Sequence, residues 1–248
     1  MNANEKYCRT RLFGCVVRMG RVEAVLFDFS GTLFRLEEDE SWFDGMEQDG
    51  RLSSDQSRDI DGHVQAELMR RLTAPTGQSV TMTPQAEEAW ANRDLQPHLH
   101  REAYLHVLRE SGLARQHAES LYARVIDPRC WTPYPDTATV LDGLNRRGIK
   151  TAVVSNIAFD LRPAFGGVGR VDEFVLSFEV GAVKPDPAIF ETALKRLGVP
   201  PERALMVGDS DEADGGARAL GCAFALVDPL PTAERPDGLV CALRSHGL

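Results

Sequence analysis

Residues 22–32 read VEAVLFDFSGT, a run of strand-forming apolar residues that ends in an acid, a small polar residue, glycine and threonine. Val22, Val25, Leu26 and Phe27 make the run nearly continuous, the pattern of a strand buried on both faces of a parallel sheet. Ligands in open α/β sheets sit outside the carboxyl ends of the strands, so Asp28 is expected at the mouth of a site. Taken alone, Asp28 to Thr32 is also what ordinary turn chemistry produces, and the rest of the chain has to decide.

The remainder of the chain alternates in the way such a sheet requires. Ile149 to Val154 is predicted as a strand stopping at Ser155-Asn156, Phe174 to Phe178 as another, Ala204 to Val207 as a third stopping at Gly208-Asp209, and Ala223 to Val227 as the last. Helical stretches fall between them. Asp136 can cap a helix that Gly148 closes, and Pro187 to Leu197 is a helix ended by Gly198. This succession gives an α/β fold, a Rossmann-like doubly wound parallel sheet with right-handed crossovers. Residues 36–130 break the alternation. Ile60, Val64, Leu68 and Leu72 recur every four positions, Thr83-Pro84 starts a second helix that Pro97 ends, and two more carry Tyr104, Leu105 and Leu108, then Ala118, Leu121, Tyr122 and Val125. The expected organisation is therefore an N-terminal extension (1–20), a core from 21–35 and 131–248, and an all-helical insertion at 36–130, with DPRCWTPYPD as the hinge leading back. Residues 1–20 read either as an extension or as sequence upstream of a true start at Met19.

Composition narrows the partners. The net charge of -9 offers no broad basic surface to a nucleic-acid backbone and repels anionic lipid. No apolar run approaches the ~20 residues of a membrane helix, and residues 12–17 are too short for a secretory leader, so a cytoplasmic protein is expected. The five cysteines form no CxxC pair and no zinc spacing. Lys6, Lys150, Lys184 and Lys195 are the only lysines, which leaves few candidates for amine chemistry. The histidines His98, His100 and His106 of the insertion read as surface or packing residues.

Three predicted strands thus end in polar groups: Asp28 with Ser30 and Thr32, Ser155-Asn156, and Asp209 in GDSDEAD with Asp214 five residues on; Lys184 in VKPDP lies between the last two. In this order the chain resembles the haloacid dehalogenase-like superfamily, over residues 22–33 and 133–228. That family has a strand-end nucleophilic Asp, a strand-end Ser or Thr, a Lys and a strand-end acidic pair. The resemblance places the insertion where the family carries an all-helical cap. It implies an aspartyl-phosphate on Asp28 as the catalytic nucleophile, and Mg²⁺ held by Asp28, the Ser30 carbonyl, Asp209 and Asp214. It further implies catalytic help from Ser155 and Lys184, with Thr32, Ser155, Asn156 and Lys184 contacting a small phosphorylated substrate. A pair of strand-end acids beside a third would repel one another without a cation, which agrees with the metal assignment.

One position departs from the pattern. Phosphatases of this superfamily carry a second Asp two residues after the nucleophile, as general acid and base, and this chain has Ser30. A hydroxyl does not titrate near neutrality, so roughly 10²- to 10⁴-fold of rate is at stake. The open readings are a phosphatase for good leaving groups or with another acid, a non-phosphate hydrolase such as a haloacid dehalogenase, or a catalytically weak metal- and ligand-binding protein. Retention of Asp209 disfavours the metal-free dehalogenase chemistry, and the absence of lysine from 36–130 disfavours imine chemistry of the phosphonatase kind.

Overall fold

The computed structural model describes residues 21–37 and 80–248. The helix expected around Ile60 to Leu72 and the N-terminal extension lie outside the described residues. Five parallel strands form the sheet: β1 (Ala24–Phe27), β4 (Lys150–Ser155), β5 (Glu173–Leu176), β6 (Ala204–Gly208) and β7 (Ala223–Leu226), in the order β5-β4-β1-β6-β7. β1 is central, pairing Phe27 with Val153 on one side and with Val207 on the other. The sheet order reverses direction about β1, and Asp28 emerges at that switch point.

Alternate side chains of the strands feed two cores. Val25, Phe27, Val153, Leu205 and Val207 pack under α4 (Thr137–Arg146) and α6 (Gly238–Arg244), whereas Ala24, Leu26, Ala152, Val154 and Met206 pack under α5 (Pro187–Leu197). That two-sided burial is why β1 reads as a continuous apolar run rather than as an alternation. Pro187 occupies the first turn of α5 and left-handed Gly198 ends it, as the sequence predicts, and Asp186 caps it through Ala188 N.

Helices α2 (Pro97–Glu110) and α3 (Arg115–Val125) share a third apolar cluster of Tyr104, Leu105, Leu108, Ala118, Leu121, Tyr122 and Val125, joined by Leu36, and α1 (Pro84–Ala91) lies beside α2 with Trp90 against Tyr104. Pro97 opens α2 as its first residue; α1 has already stopped at Ala91.

Three local readings are corrected. The chain leaves and re-enters the core through a short antiparallel ribbon, β2 (Phe34–Arg35) with β3 (Thr132–Pro133), where the sequence reads as loop and hinge. Phe178 belongs to a helical turn, Ser177–Val180, and not to the preceding strand. Asp136 stands at the start of α4 without capping it; its Oδ2 accepts instead from Leu239 N and Val240 N at the start of α6.

Candidate active site

Asp28 continues β1 by one residue, and its N–H still donates to Val207 O, so the backbone that carries it is part of the sheet. The chain then turns tightly: Leu33 N and Phe34 N both donate to Phe29 O, and Gly31 N donates to Phe34 O. Gly31 adopts φ +73°, and a Cβ there would lie 2.3 Å from Asp209 Oδ2, so both conformation and space demand glycine. The turn therefore presses the Asp28 loop against the end of β6.

Lys184 Nζ reaches into this space and donates at 2.6 Å to Asp28 Oδ1 and at 2.6 Å to Asp214 Oδ1. Its side chain is 4% exposed, beside 8% for Asp28 and 0% for Asp214. Asp214 Oδ2 accepts from Ser210 N at 3.0 Å, and the carboxyl fits only because residue 208 is glycine: a Cβ there would lie 2.1 Å from that oxygen. Oxygens of Asp28, Asp209 and Asp214 all lie within 4.8 Å of one another.

Three carboxylates against one ammonium leave two negative charges uncompensated in a buried site. Burial, with Asp214 and Asp209 opposed by Lys184, lifts Asp28 from 3.8 to about 7. Burial and Asp214 likewise lift Asp209 to about 6, against the pull of Lys184. Lys184 is raised as well: burial works against its charge, but the two carboxylates outweigh it and hold it protonated. A hard dication suits this set. All the donors are oxygens and the missing charge is two.

The other residues singled out in the sequence fall around this centre. Thr32 is fully buried and its hydroxyl lies 3.5 Å from Asp28 Oδ2, at the outer limit of a hydrogen bond. Ser30 is half-buried in the turn, and Ser155, 2% exposed, ends β4 next to β1. Asn156 meets a different geometry from the substrate contact expected of it. Its Oδ1 accepts from Lys184 N at 2.7 Å and its Nδ2 donates to Lys184 O at 3.0 Å, so the side chain clamps the backbone that delivers the lysine.

Two groups escape the sequence reading. Asp94, in the turn between α1 and α2, is docked on the core by Ser177 Oγ, which donates to its carbonyl at 2.5 Å. Burial raises its carboxyl, while Arg93 and Lys184 pull it down, which places it within the field of Lys184. Arg235, 5% exposed, donates to Gly31 O at 2.7 Å and to Thr32 O from behind the Asp28 loop. Only their charge in otherwise loop-like sequence distinguishes them, and that is no signal.

Comparison with known proteins follows this geometry closely. A family model described as haloacid dehalogenase-like hydrolase matches residues 22–221. The chain belongs to the haloacid dehalogenase-like hydrolases. It is 37% identical over 147 residues to haloacid dehalogenase-like hydrolase domain-containing protein 3 of Mus musculus, covering 54% of this chain and 59% of that one. It is 36% identical over 159 residues to a phosphoserine phosphatase of Thermus thermophilus, covering 62% of each. The chain thus spans about three fifths of the length of these curated relatives. Among solved structures, L-2-haloacid dehalogenase from Xanthobacter autotrophicus superposes with a TM-score of 0.57 at 25% identity, over 88% of this chain and 82% of the other. No helix among the described residues is long and apolar enough to cross a membrane.

Proposed function

We propose that the chain is a Mg²⁺-dependent phosphatase acting on a small phosphorylated molecule, with Asp28 as nucleophile and α1 to α3 as part of a cap over the site. The observation that carries this reading is the buried Asp28–Lys184–Asp214 bridge with Asp209 alongside, a strand-end carboxylate in a site two positive charges short.

Asp28 attacks phosphorus, forming a bond from a carboxylate oxygen as the bond to the leaving oxygen breaks; water then cleaves the aspartyl-phosphate, releasing phosphate and restoring the carboxylate. Lys184 keeps Asp28 ionised and offers its charge to the phosphoryl oxygens, and Ser155 donates its hydroxyl to one of them. Asp28, Asp209, Asp214 and the Ser30 carbonyl would hold Mg²⁺, which would supply the remaining positive charge against the phosphoryl group. Ser30 can hydrogen-bond but cannot protonate the leaving oxygen. Asp94, held to the core through its carbonyl and within the field of Lys184, is the carboxyl on the cap side whose burial-raised proton affinity suits that part.

The phosphoserine phosphatase relative supports phosphate chemistry, and the charge balance opposes the dehalogenase alternative. An alkyl ester formed on Asp28 without metal would leave Asp209 and Asp214 facing each other with Lys184 alone between them. The test is a panel of acyl, aryl and alkyl phosphates with and without Mg²⁺, run on the parent, Ser30→Asp and Asp94→Asn. Acyl and aryl esters should outpace alkyl ones in the parent. Ser30→Asp should speed alkyl esters by at least about tenfold and Asp94→Asn should slow them by as much. No turnover of any phosphate by protein shown to bind Mg²⁺ would overturn the reading.

A further inference from the structure

We infer that Arg235 is a positioning residue for the reaction, because from the C-terminal segment it fixes the loop that follows Asp28 and so holds that loop against Asp209. Its guanidinium is enclosed. It lies 3.1 Å from the centroid of the Tyr134 ring, donates to Gly31 O, Thr32 O and Asp228 O, and is 5% exposed. Tyr134 is itself fixed, its hydroxyl donating to Leu230 O at 2.8 Å. Gly238 leaves room for the arginine stem: a Cβ there would lie 2.7 Å from Arg235 Cδ.

The carbonyls taken are the informative part. Gly31 O and Thr32 O go to Arg235, and Leu33 O goes to Tyr134 N and the Thr137 hydroxyl, so three consecutive carbonyls of the loop face one side. In a trans peptide the next N–H points the opposite way, so the amides of Thr32 and Leu33 are turned from Arg235. Together with the bonds from Leu33 N and Phe34 N to Phe29 O, Arg235 fixes which way the loop presents its backbone. Gly31 also packs against Asp209, a Cβ there lying 2.3 Å from Asp209 Oδ2, so a loop released from Arg235 changes how residues 30–33 sit against Asp209. An arginine that merely anchored the C-terminal segment would need none of these loop contacts. Burying a guanidinium is expensive, Arg235 Nε is left without a hydrogen-bond partner, and two of the three bonds the side chain makes go to consecutive loop carbonyls.

The test uses Arg235→Lys, which keeps charge and stem but not the planar fork. Gly238→Ala is the second variant, pushing the arginine aside without deleting a buried charge, in case Arg235→Lys does not fold. Amide hydrogen exchange of residues 28–34 and steady-state turnover of an aryl phosphate are measured on the full chain. The expected result is faster exchange in the loop with β4 and β6 unchanged, and kcat lowered about tenfold to a hundredfold at a KM within about threefold, as for a displaced reacting group. Loop exchange equal to the parent's, or kcat within threefold of it in a folded variant, would overturn the inference. The kinetic arm rests on the phosphatase reading and the exchange arm does not. If the parent turns over no phosphate ester, that reading fails by itself, and calorimetric titration with Mg²⁺ takes the place of kinetics, with binding unchanged in both variants overturning the inference.

Discussion

Replacing Lys184 by methionine keeps a side chain of similar length and deletes the ammonium that lies 2.6 Å from both Asp28 and Asp214. Removing one partner from a buried ion pair costs about 3–5 kcal/mol, because the other charges stay buried and unpaired. For a chain of this size about 1 kcal/mol shifts the unfolding midpoint by about 2–4 °C, so the metal-free variant should melt roughly 6–20 °C lower near pH 8. The sign of the pH dependence follows from the carboxyls. Asp28 at about 7 and Asp209 at about 6 both stand above the unfolded value of 3.8, so their ionisation opposes folding increasingly as pH rises from there through 6 to 7. Loss of Lys184 pushes both higher still. Near pH 5 the trio accommodates the loss by taking up protons, and the deficit should shrink to a small part of its value near pH 8. Mg²⁺ should then stabilise the variant more than the parent, since the ion meets three uncompensated charges instead of two. Thermal unfolding at the two pH values, with and without millimolar Mg²⁺, reads all of this. A deficit equal at both pH values and indifferent to Mg²⁺ would refute the charge argument.

Asp28→Asn should abolish hydrolysis with the fold retained, and should raise the midpoint of the metal-free protein near pH 8 because one of the repelling charges is gone; melting and turnover of the same preparation check both. Gly208→Ala places a methyl 2.1 Å from Asp214 Oδ2 and 2.5 Å from its Cβ, so it should cost about 1–3 kcal/mol and weaken Mg²⁺ binding, seen by denaturant unfolding and calorimetry. His100, stacked on Tyr104 and bonded to Tyr122 Oη at 3.0 Å, is held down to about 4 by burial. A depressed histidine gives stability that is complete above its unfolded value of 6.5 and is lost as pH falls toward 4, so His100→Gln should flatten the acid side of the stability profile.

The sequence carried the pieces that local chemistry marks. A two-sided strand must be apolar throughout, Pro187 suits a helix start and Gly198 a stop, and each leaves its mark within a few residues. What escaped is long-range. The Phe34–Arg35 ribbon is too short for any period, and its partner lies about a hundred residues away. Asp136 looks like the cap of the helix it precedes, and only the folded chain shows that its carboxylate serves amides 103 and 104 residues on. Arg235 sits in a proline-rich stretch that reads as loop, 204 residues from the carbonyl it holds. In the site itself the chemistry-bearing residues were legible, because strand ends concentrate them. The clamps were not: Asn156 on Lys184 and Arg235 on the Asp28 loop act on backbone, which any polar residue can touch.

Ser30 gains a second meaning from the charge balance. With serine there, Asp28, Asp209, Asp214 and Lys184 leave two negative charges, and one dication neutralises them. A carboxylate at position 30 would leave the loaded site negative by one. A phosphoryl dianion would then approach against that charge, in a buried place where unlike and like charges both count heavily. The serine gives up a proton donor for the leaving oxygen and removes a repulsion from the entering phosphoryl group. The two effects fall on different substrates: an alkyl oxygen needs the proton, and an acyl or aryl oxygen leaves without it. For the second kind the repulsion is all that a carboxylate would add to the first step. Ser30→Asp should therefore help alkyl phosphates while raising the KM for acyl phosphates, and it is this opposition, more than either change alone, that the exchange of aspartate for serine at this position predicts.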